Sequence, residues 1–109
     1  MWGNPHYEEK EVKMNFVQLV GHIETMPVPI EDHSNESYAL MHVSVTSNFR
    51  TPTGIFRKDT FPILLWRGAS ETTTNSCKPG SLISVKGRLE INDEKFILIA
   101  EHLEFLYPK

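Results

Sequence analysis

The most constraining feature of this chain is a series of short runs in which apolar and polar residues alternate, each followed by a turn-forming stretch. Alternation with a period of two is the pattern of a half-buried β-strand, and little of the sequence has the 3.6-residue period of an amphipathic helix. Since 109 residues suffice for one hydrophobic core but not for two, the pattern predicts a single all-β domain.

Five such runs occur after residue 15. The first is expected to end at Met26–Pro29, because proline cannot donate a ladder hydrogen bond. Pro62 inside the third run predicts an edge or bulged strand, and Gly87 inside the fourth predicts a bulge or a sharp bend. The five runs comprise residues 16–24, 38–47, 56–66, 83–91 and 95–107.

A Ser/Thr-rich stretch separates the third and fourth runs. Side chains of this kind compete for backbone hydrogen bonds, so residues 69–76 predict at most one short helix between strands 3 and 4. Five strands with this optional helix match the layout of the OB-fold barrel. Residues 14–109 are assigned to this domain, and the mainly polar residues 1–13 to a flexible N-terminal arm.

Several function classes are disfavoured by the sequence. No apolar run approaches the ~20 residues that span a bilayer, and no signal-peptide pattern begins the chain. A single cysteine, Cys77, cannot form an internal disulfide, which is typical of a cytoplasmic protein. His22 and His42 would approach each other if strands 1 and 2 pair, but no third ligand stands at metal spacing. With no nucleophile elbow or phosphate loop, the sequence predicts neither an enzyme nor a bound metal or cofactor.

The charge distribution is uneven along the chain. The formal net charge is −3, yet residues 47–88 carry seven basic and two acidic side chains, while the flanking segments are acidic. A phosphate backbone responds to the local potential within a Debye length of ~8–10 Å, so a clustered basic block can bind a polyanion on an acidic protein. A chance distribution of surface charges explains the basic block equally well. The charge distribution alone favours chance over a binding site.

Three segments in order carry a family resemblance. These are the opening strand Asn15–Ile23 with its glycine and the following Pro27, the ungapped stretch from Trp66 through Glu71 to Gly80–Leu89, and the final strand Ala100–Leu106. From Met14 to Tyr107 the chain resembles the bacterial single-stranded DNA-binding protein family, which includes primosomal replication protein N.

The resemblance implies an OB barrel that holds single-stranded DNA through stacked aromatics and a basic groove, as a homodimer or homotetramer. The contact residues it suggests, together with neighbouring cations, are Phe49, Arg50, Phe56, Arg57, Lys58, Phe61, Trp66, Arg67, Lys86, Arg88 and His22. Base stacking on such aromatics tolerates any sequence, because every base has a π-face.

Each of these assignments has a structural alternative. Phe49 shares parity with Val43 and could cap the barrel core, and Trp66 could belong to the core or to a subunit interface. Phe61 comes one residue later than the family's aromatic, so a bulge at Pro62 is needed to turn it to the DNA-binding face. The expected position of Phe56, Arg57 and Lys58 is the loop that precedes the third strand. Lys86 and Arg88 share a strand face that is either a phosphate groove or simply solvated.

Two departures from the family pattern qualify the functional prediction. The hairpin between strands 4 and 5 is shortened to Asn92–Glu94 and is acidic, and the chain ends at Lys109 without the family's glycine-rich linker and acidic tip. They predict an accessory or primosome-type factor in DNA replication, recombination or repair, with possible partners among replication or primosome proteins. The alternative is an OB-fold protein-interaction module that has lost most DNA binding.

Overall fold

The computed structural model describes residues 13–30 and 38–107. The predicted N-terminal arm, apart from Lys13, lies outside these residues, as do residues 31–37 and 108–109. Within them the chain forms five strands and one helix, β1 (Val17–Ile30), β2 (Tyr38–Arg50), β3 (Phe56–Trp66), α1 (Arg67–Ser76), β4 (Leu82–Asn92) and β5 (Lys95–Tyr107). The predicted all-β class is confirmed, as is a single short helix between β3 and β4.

The five strands close into a barrel in the order β1-β2-β3-β5-β4. β1 is shared between two neighbours: Val17–His22 pairs with β4, and the stretch from His22 to Ile30 pairs with β2. A short parallel contact, Ile63 with Leu98 and Leu64 with Ile99, closes the barrel between β3 and β5. The topology confirms the OB-fold prediction.

The barrel interior is filled by the inward-facing residue of every second strand position. The alternation in β2 holds as predicted, with Ala39, Met41 and Val43 buried and their neighbours facing outward or partly covered. The other buried apolar side chains of the core are Ile23, Ile63, Leu65, Ala69, Ile83, Val85, Leu98 and Ala100.

The prediction that β1 ends at its prolines is wrong. The strand continues to Ile30, with Val28 paired to Leu40 and Pro29 to Ala39 after two register shifts. The reason is topological, because β4 pairs with β1 only as far as His22. Beyond that point β1 has a single described neighbour, and an edge tolerates a residue without an N–H.

β3 also differs in detail from the sequence prediction. Phe56, Arg57 and Lys58 lie within the strand rather than in a loop, since Phe56 pairs with Arg50 and Lys58 with Thr46. Pro62 lies opposite His42 in unbroken register, so the bulge expected there is absent. The edge interpretation holds for the first half of β3, whose only described strand neighbour is β2.

Helix α1 forms despite its unfavourable composition. Ala69 and Thr73, one turn apart, are buried against the barrel, while Thr72 Oγ1 donates to the carbonyl oxygen of Gly68 at 2.9 Å. Packing of one face stabilises the helix where intrinsic propensity does not. None of the helices in the described part of the chain is long and apolar enough to cross a membrane.

Gly87 marks the bend predicted for β4. It is buried between β1 and β5, and a Cβ built on it would overlap the carbonyl oxygen of Ile99 and stand 3.2 Å from Cα of Ala100. The extra residue lies on the partner strand, because Lys86 pairs with His102 and Gly87 with Ala100, which leaves Glu101 without a partner. The bend and the β5 bulge therefore occur at the same point of the ladder.

The β4–β5 hairpin is closed by a two-residue turn. Asn92 pairs with Lys95, and both intervening residues have positive φ, 52° at Asp93 and 65° at Glu94. Positive φ at both central positions is the requirement of a type I′ turn, which glycine satisfies without the steric cost that a side chain incurs.

Glu94→Gly is therefore expected to stabilise the protein by about 0.5–1 kcal/mol. Urea unfolding followed by far-UV circular dichroism measures the change. Glu94→Ala is the matched control, because it removes the same charge but keeps the Cβ at positive φ. A gain in stability for alanine equal to that for glycine would contradict the conformational explanation.

Candidate nucleic-acid interface

One end of the β2–β3 hairpin carries an aromatic and cationic group. The Phe49 side chain is 82% exposed. The alternative that Phe49 caps the barrel core, which rested on its parity with Val43, is therefore excluded. The Arg50 guanidinium lies over the Phe56 ring with 4.8 Å from Cζ to the ring centroid. This cation–π contact fixes both side chains, and it leaves the Phe49 ring open to a planar ligand.

The opposite end of the same hairpin carries a second aromatic. Trp66 pairs with Tyr38, ten positions along β3 from the pair formed by Arg50 and Phe56. At about 3.3 Å per residue the two ends are about 33 Å apart along the strand. Trp66 is 42% exposed and lines a cleft between α1 and β5 rather than the barrel core. A single-stranded nucleic acid reaches both aromatics only if it runs along the hairpin.

Most of the candidate cations carry a carboxylate partner. Arg57 Nε lies 2.9 Å from Asp59, Lys58 Nζ 3.2 Å from Glu24, and Arg67 Nε 3.2 Å from Glu71. Arg88 bridges two carboxylates, with 3.0 Å to Glu90 and 2.9 Å to Glu101. Three of these acids, Glu24, Glu90 and Glu101, come from outside the basic stretch 47–88. The positive block of the sequence is thus partly neutralised in the fold.

These ion pairs weaken the basic groove without abolishing it. All of them are solvent-exposed, and exposed pairs of this kind contribute about 0–1 kcal/mol, so a phosphate can replace the carboxylate. Lys86, which the fold places on the outer face of β4 opposite Gln18 and His102, makes no salt bridge with any residue in the described ranges. Among the candidate contact residues, Lys86 and Arg50 are therefore the cations with the least competition from carboxylates.

Two pKa shifts follow from the ion pairs. Hydrogen bonds from Lys58 and Ser44 lower the pKa of Glu24 below its ordinary value, so this carboxylate stays charged and continues to neutralise Lys58 near neutral pH. Hydrogen bonds to Glu90 and then Glu101 raise the pKa of Arg88 further above its ordinary value. Both groups hold their charge across the physiological range.

His22 and His42 do not assemble into a site. β1 and β2 pair as the histidine argument required, but His22 lies opposite Ser44 while His42 Nδ1 lies 2.9 Å from Thr25 Oγ1. No group of three potential metal ligands occurs among residues 13–30 and 38–107. His22 is exposed where β1 passes from β4 to β2, so it faces outward, as a groove residue would.

The bulge needed to turn Phe61 to the DNA-binding face is absent. Phe61 lies opposite Val43 in regular register, so it shares the parity of Ile63 and Leu65, and it is 36% exposed in an apolar cleft with Leu89 and Phe96. A DNA contact at Phe61 stays a prediction from the sequence.

An apolar stripe on the β4–β5 hairpin was missed in the sequence. Leu89 pairs with Leu98 and Ile91 with Phe96. Ile91 shares the strand face of the buried Ile83 and Val85, yet it is 69% exposed. Both strands extend past the end of the barrel, so inward parity there does not mean burial. The two-residue turn could have predicted this exposure, because the end of a tight hairpin this long must project from a small barrel.

Comparison with known proteins agrees with this architecture. Residues 14–95 match the model of the single-strand binding protein family. The chain is 27% identical over 104 residues to single-stranded DNA-binding protein B of Bacillus subtilis, which covers 87% of this chain and 92% of that protein. It is 30% identical over 105 residues to single-stranded DNA-binding protein 2 of Listeria monocytogenes, covering 88% of this chain and 66% of that longer protein.

Solved structures support the same fold. The mitochondrial single-stranded DNA-binding protein Rim1 from S. cerevisiae superposes with a TM-score of 0.73 at 13% identity, over 87% of this chain and 96% of that one. The dimeric N-terminal domain of PriB from Thermoanaerobacter tencongensis gives 0.63 at 20% identity, over 87% and 98%. At these identities the likeness concerns the fold alone. Since the family model matches well over half of the sequence and the barrel has the matching topology, the chain belongs to the single-strand binding protein family.

Proposed function

We propose that this protein binds single-stranded DNA without requiring a particular sequence, as an accessory factor of DNA replication in the cytoplasm. The observation that carries the proposal is the Phe49 side chain, 82% exposed beside the Arg50–Phe56 cation–π pair at the tip of the β2–β3 hairpin. A large aromatic with no part in the core, next to a cation, is the arrangement on which a base stacks while its phosphate is neutralised.

The bound strand follows the hairpin from Phe49 toward Trp66. Two candidate cations, Lys86 and Arg50, can bind its phosphates directly. The other four must first exchange a carboxylate partner for a phosphate, and these are Arg57, Lys58, Arg67 and Arg88. This exchange costs part of the electrostatic gain, which supports an affinity below that of a protein with an unobstructed basic groove. Participation in recombination and repair, and contacts with primosome proteins, remain predictions from the sequence.

The salt dependence of oligo-dT binding tests the proposal. Each phosphate contact on a single strand lowers log K by about 0.7 per unit of log salt. With two to six of the cations engaged, the slope is expected to lie between about −1.4 and −4.2. Fluorescence anisotropy of labelled dT20 from 50 to 300 mM NaCl provides the slope, with duplex of equal length as the control. Absence of saturable binding at the lowest salt, or equal affinity for duplex, would refute the proposal.

A second candidate function, a protein-interaction module, is favoured by the exposed apolar stripe of the β4–β5 hairpin, Leu89, Ile91 and Phe96. Exposed apolar stripes of this kind are typical of protein interfaces. The two functions are distinguished by Ile91→Ser combined with Phe96→Ser. This variant should abolish partner binding but, because it adds no charge, leave oligo-dT affinity within about twofold. Loss of oligo-dT binding in that variant, with the fold intact by circular dichroism, would place DNA contacts on the stripe.

Self-association as a homodimer or homotetramer is part of the proposal. It is supported by family membership and by the fold shared with the dimeric N-terminal domain of PriB. Sedimentation equilibrium of the full chain measures the assembly, and a monomer at tens of micromolar would contradict it.

A further inference from the structure

A cleft of about 400 Å³ between α1 and β5 adjoins the proposed DNA path. Its apolar walls are formed by Trp66, Ala69, Leu103 and Phe105, and its polar rim includes Glu101 and His102. Apolar walls with a few polar groups, at volumes of roughly 300–1,000 Å³, are the usual construction of small-molecule sites. The volume suits a single nucleotide.

The β5 bulge creates the polar rim. Before the bulge, the even-numbered Leu98 and Ala100 face the core. After it, the odd-numbered Leu103 and Phe105 face the core, so the alternation changes phase between Ala100 and Leu103. Both intervening residues, Glu101 and His102, consequently face outward next to each other. A regular strand would have directed one of them into the barrel, and bulges commonly aim side chains in this manner.

The Glu101 carboxylate is held in place but not saturated. Arg88 Nη1 donates to Glu101 Oε2 at 2.9 Å, and Glu101 Oε1 accepts no hydrogen bond from any residue that the structure describes. Arg88 is itself anchored by Glu90 at 3.0 Å. A carboxylate oriented by an arginine, with lone pairs left on both oxygens, can accept two further hydrogen bonds side by side.

The Trp66 indole is accessible from the helix side. The nearest atom to a Cβ built on Gly68 would be Trp66 Nε1, at 3.5 Å. A larger residue at position 68 would therefore cover the indole edge, whereas glycine leaves it open. Together the indole surface and the carboxylate offer stacking for a base and two acceptors for its edge.

Given the single-strand binding proposed above, on which it rests, we propose that this cleft is a guanine-preferring subsite. The base stacks on Trp66, and the Glu101 carboxylate accepts hydrogen bonds from guanine N1–H and N2–H. Guanine is the DNA base that presents two neighbouring donors on its Watson–Crick edge. Adenine and cytosine place an acceptor beside their amino group, and thymine has one donor between two acceptors. The subsite adds a local preference to a surface that otherwise accepts any sequence.

The test compares three labelled 20-mers of dT in which four isolated, evenly spaced thymines are replaced by guanine, inosine or adenine. Anisotropy at one fixed salt concentration gives the affinity of each. Bidentate recognition of a base is worth about 1–3 kcal/mol, and the exposed rim places this pair at the low end. Guanine is therefore expected to bind about fivefold tighter than adenine, with inosine, which lacks the N2 amino group, in between.

Two variants separate recognition from net charge. Glu101→Gln removes one negative charge and the paired acceptors, so the guanine-to-adenine ratio should fall to about one even if overall affinity rises through the released Arg88. Glu90→Gln removes the other carboxylate that holds Arg88 and lies outside the cleft, so it should raise affinity for all three oligomers and keep the ratio near five.

The outcomes distinguish this inference from the proposed function. Failure of wild-type protein to bind unsubstituted dT20 at any salt would remove the proposed function and the subsite with it. Tight binding of dT20 with equal affinities for guanine and adenine would overturn the subsite alone. A guanine preference that survives Glu101→Gln would also overturn it, because the preference would then arise elsewhere.

Discussion

Phe49→Ala combined with Trp66→Ala is expected to weaken binding of dT20 by about 30- to 25,000-fold. Stacking of a base on an aromatic contributes about 1–3 kcal/mol, and the two side chains stand near opposite ends of the β2–β3 hairpin. Sites this far apart without shared partners act additively, so the two losses should sum in free energy to about 2–6 kcal/mol. Anisotropy titration of both single variants and the double variant tests the sum.

The length of the oligonucleotide sharpens this experiment. Even when fully extended, dT4 is shorter than the strand length between the two aromatics. The double variant should therefore lose more affinity relative to wild type with dT20 than with dT4. Phe96→Ala, which removes an exposed aromatic from the β4–β5 hairpin, should change dT20 affinity by less than about twofold. Equal losses from Phe96→Ala and Phe49→Ala would contradict a stacking role specific to Phe49.

Gly87→Ala is expected to destabilise the barrel by about 3 kcal/mol or more, which is a large part of the 5–15 kcal/mol typical of a domain. The added Cβ would overlap the backbone of Ile99, and a strand backbone cannot rotate away as a side chain can. Either β4 separates from β5 at the bend or the bulge shifts. Urea unfolding monitored by circular dichroism measures the loss.

Gly68→Ala is the matched control for this substitution. A Cβ there meets no atom closer than 3.5 Å, and alanine favours the helix over glycine by up to about 1 kcal/mol. The variant should be as stable as wild type or more so. If Gly87→Ala also unfolds at the wild-type urea concentration, the close approach of the strands is not what requires glycine at that position.

The strand pattern of this protein is largely determined by local sequence. Alternation in β2 placed Met41 and Val43 in the core, and the tight turn after Asn92 located the last hairpin. Such signals are reliable because a strand with one buried face must alternate and a two-residue turn must close antiparallel neighbours. The prolines of β1 led to the wrong end for that strand. A proline destabilises a strand only where a neighbouring strand needs the N–H that proline lacks.

The aromatic positions show the limit of parity arguments. Phe49 shares parity with the buried Val43 yet is 82% exposed. The β2–β3 register shifts between Thr46 and Arg50, so the regular alternation does not continue to Phe49. Phe61 was expected to reach the DNA-binding face through a bulge at Pro62, but the register is regular there. Parity predicts the side of a strand only where the ladder is regular, and the pairing of the strands decides where that is.

The sequence alone determined the five strands, the helix between the third and fourth of them, and the family to which the chain belongs, because these depend on local patterning and on the order of short motifs. Only the tertiary structure decided the electrostatics of the interface. Lys58 and Arg88 belong to the basic block in the sequence, yet Glu24, Glu90 and Glu101 neutralise them in the fold. Ion pairing acts over a few ångströms of space, and strand pairing brings together charges that the chain holds far apart.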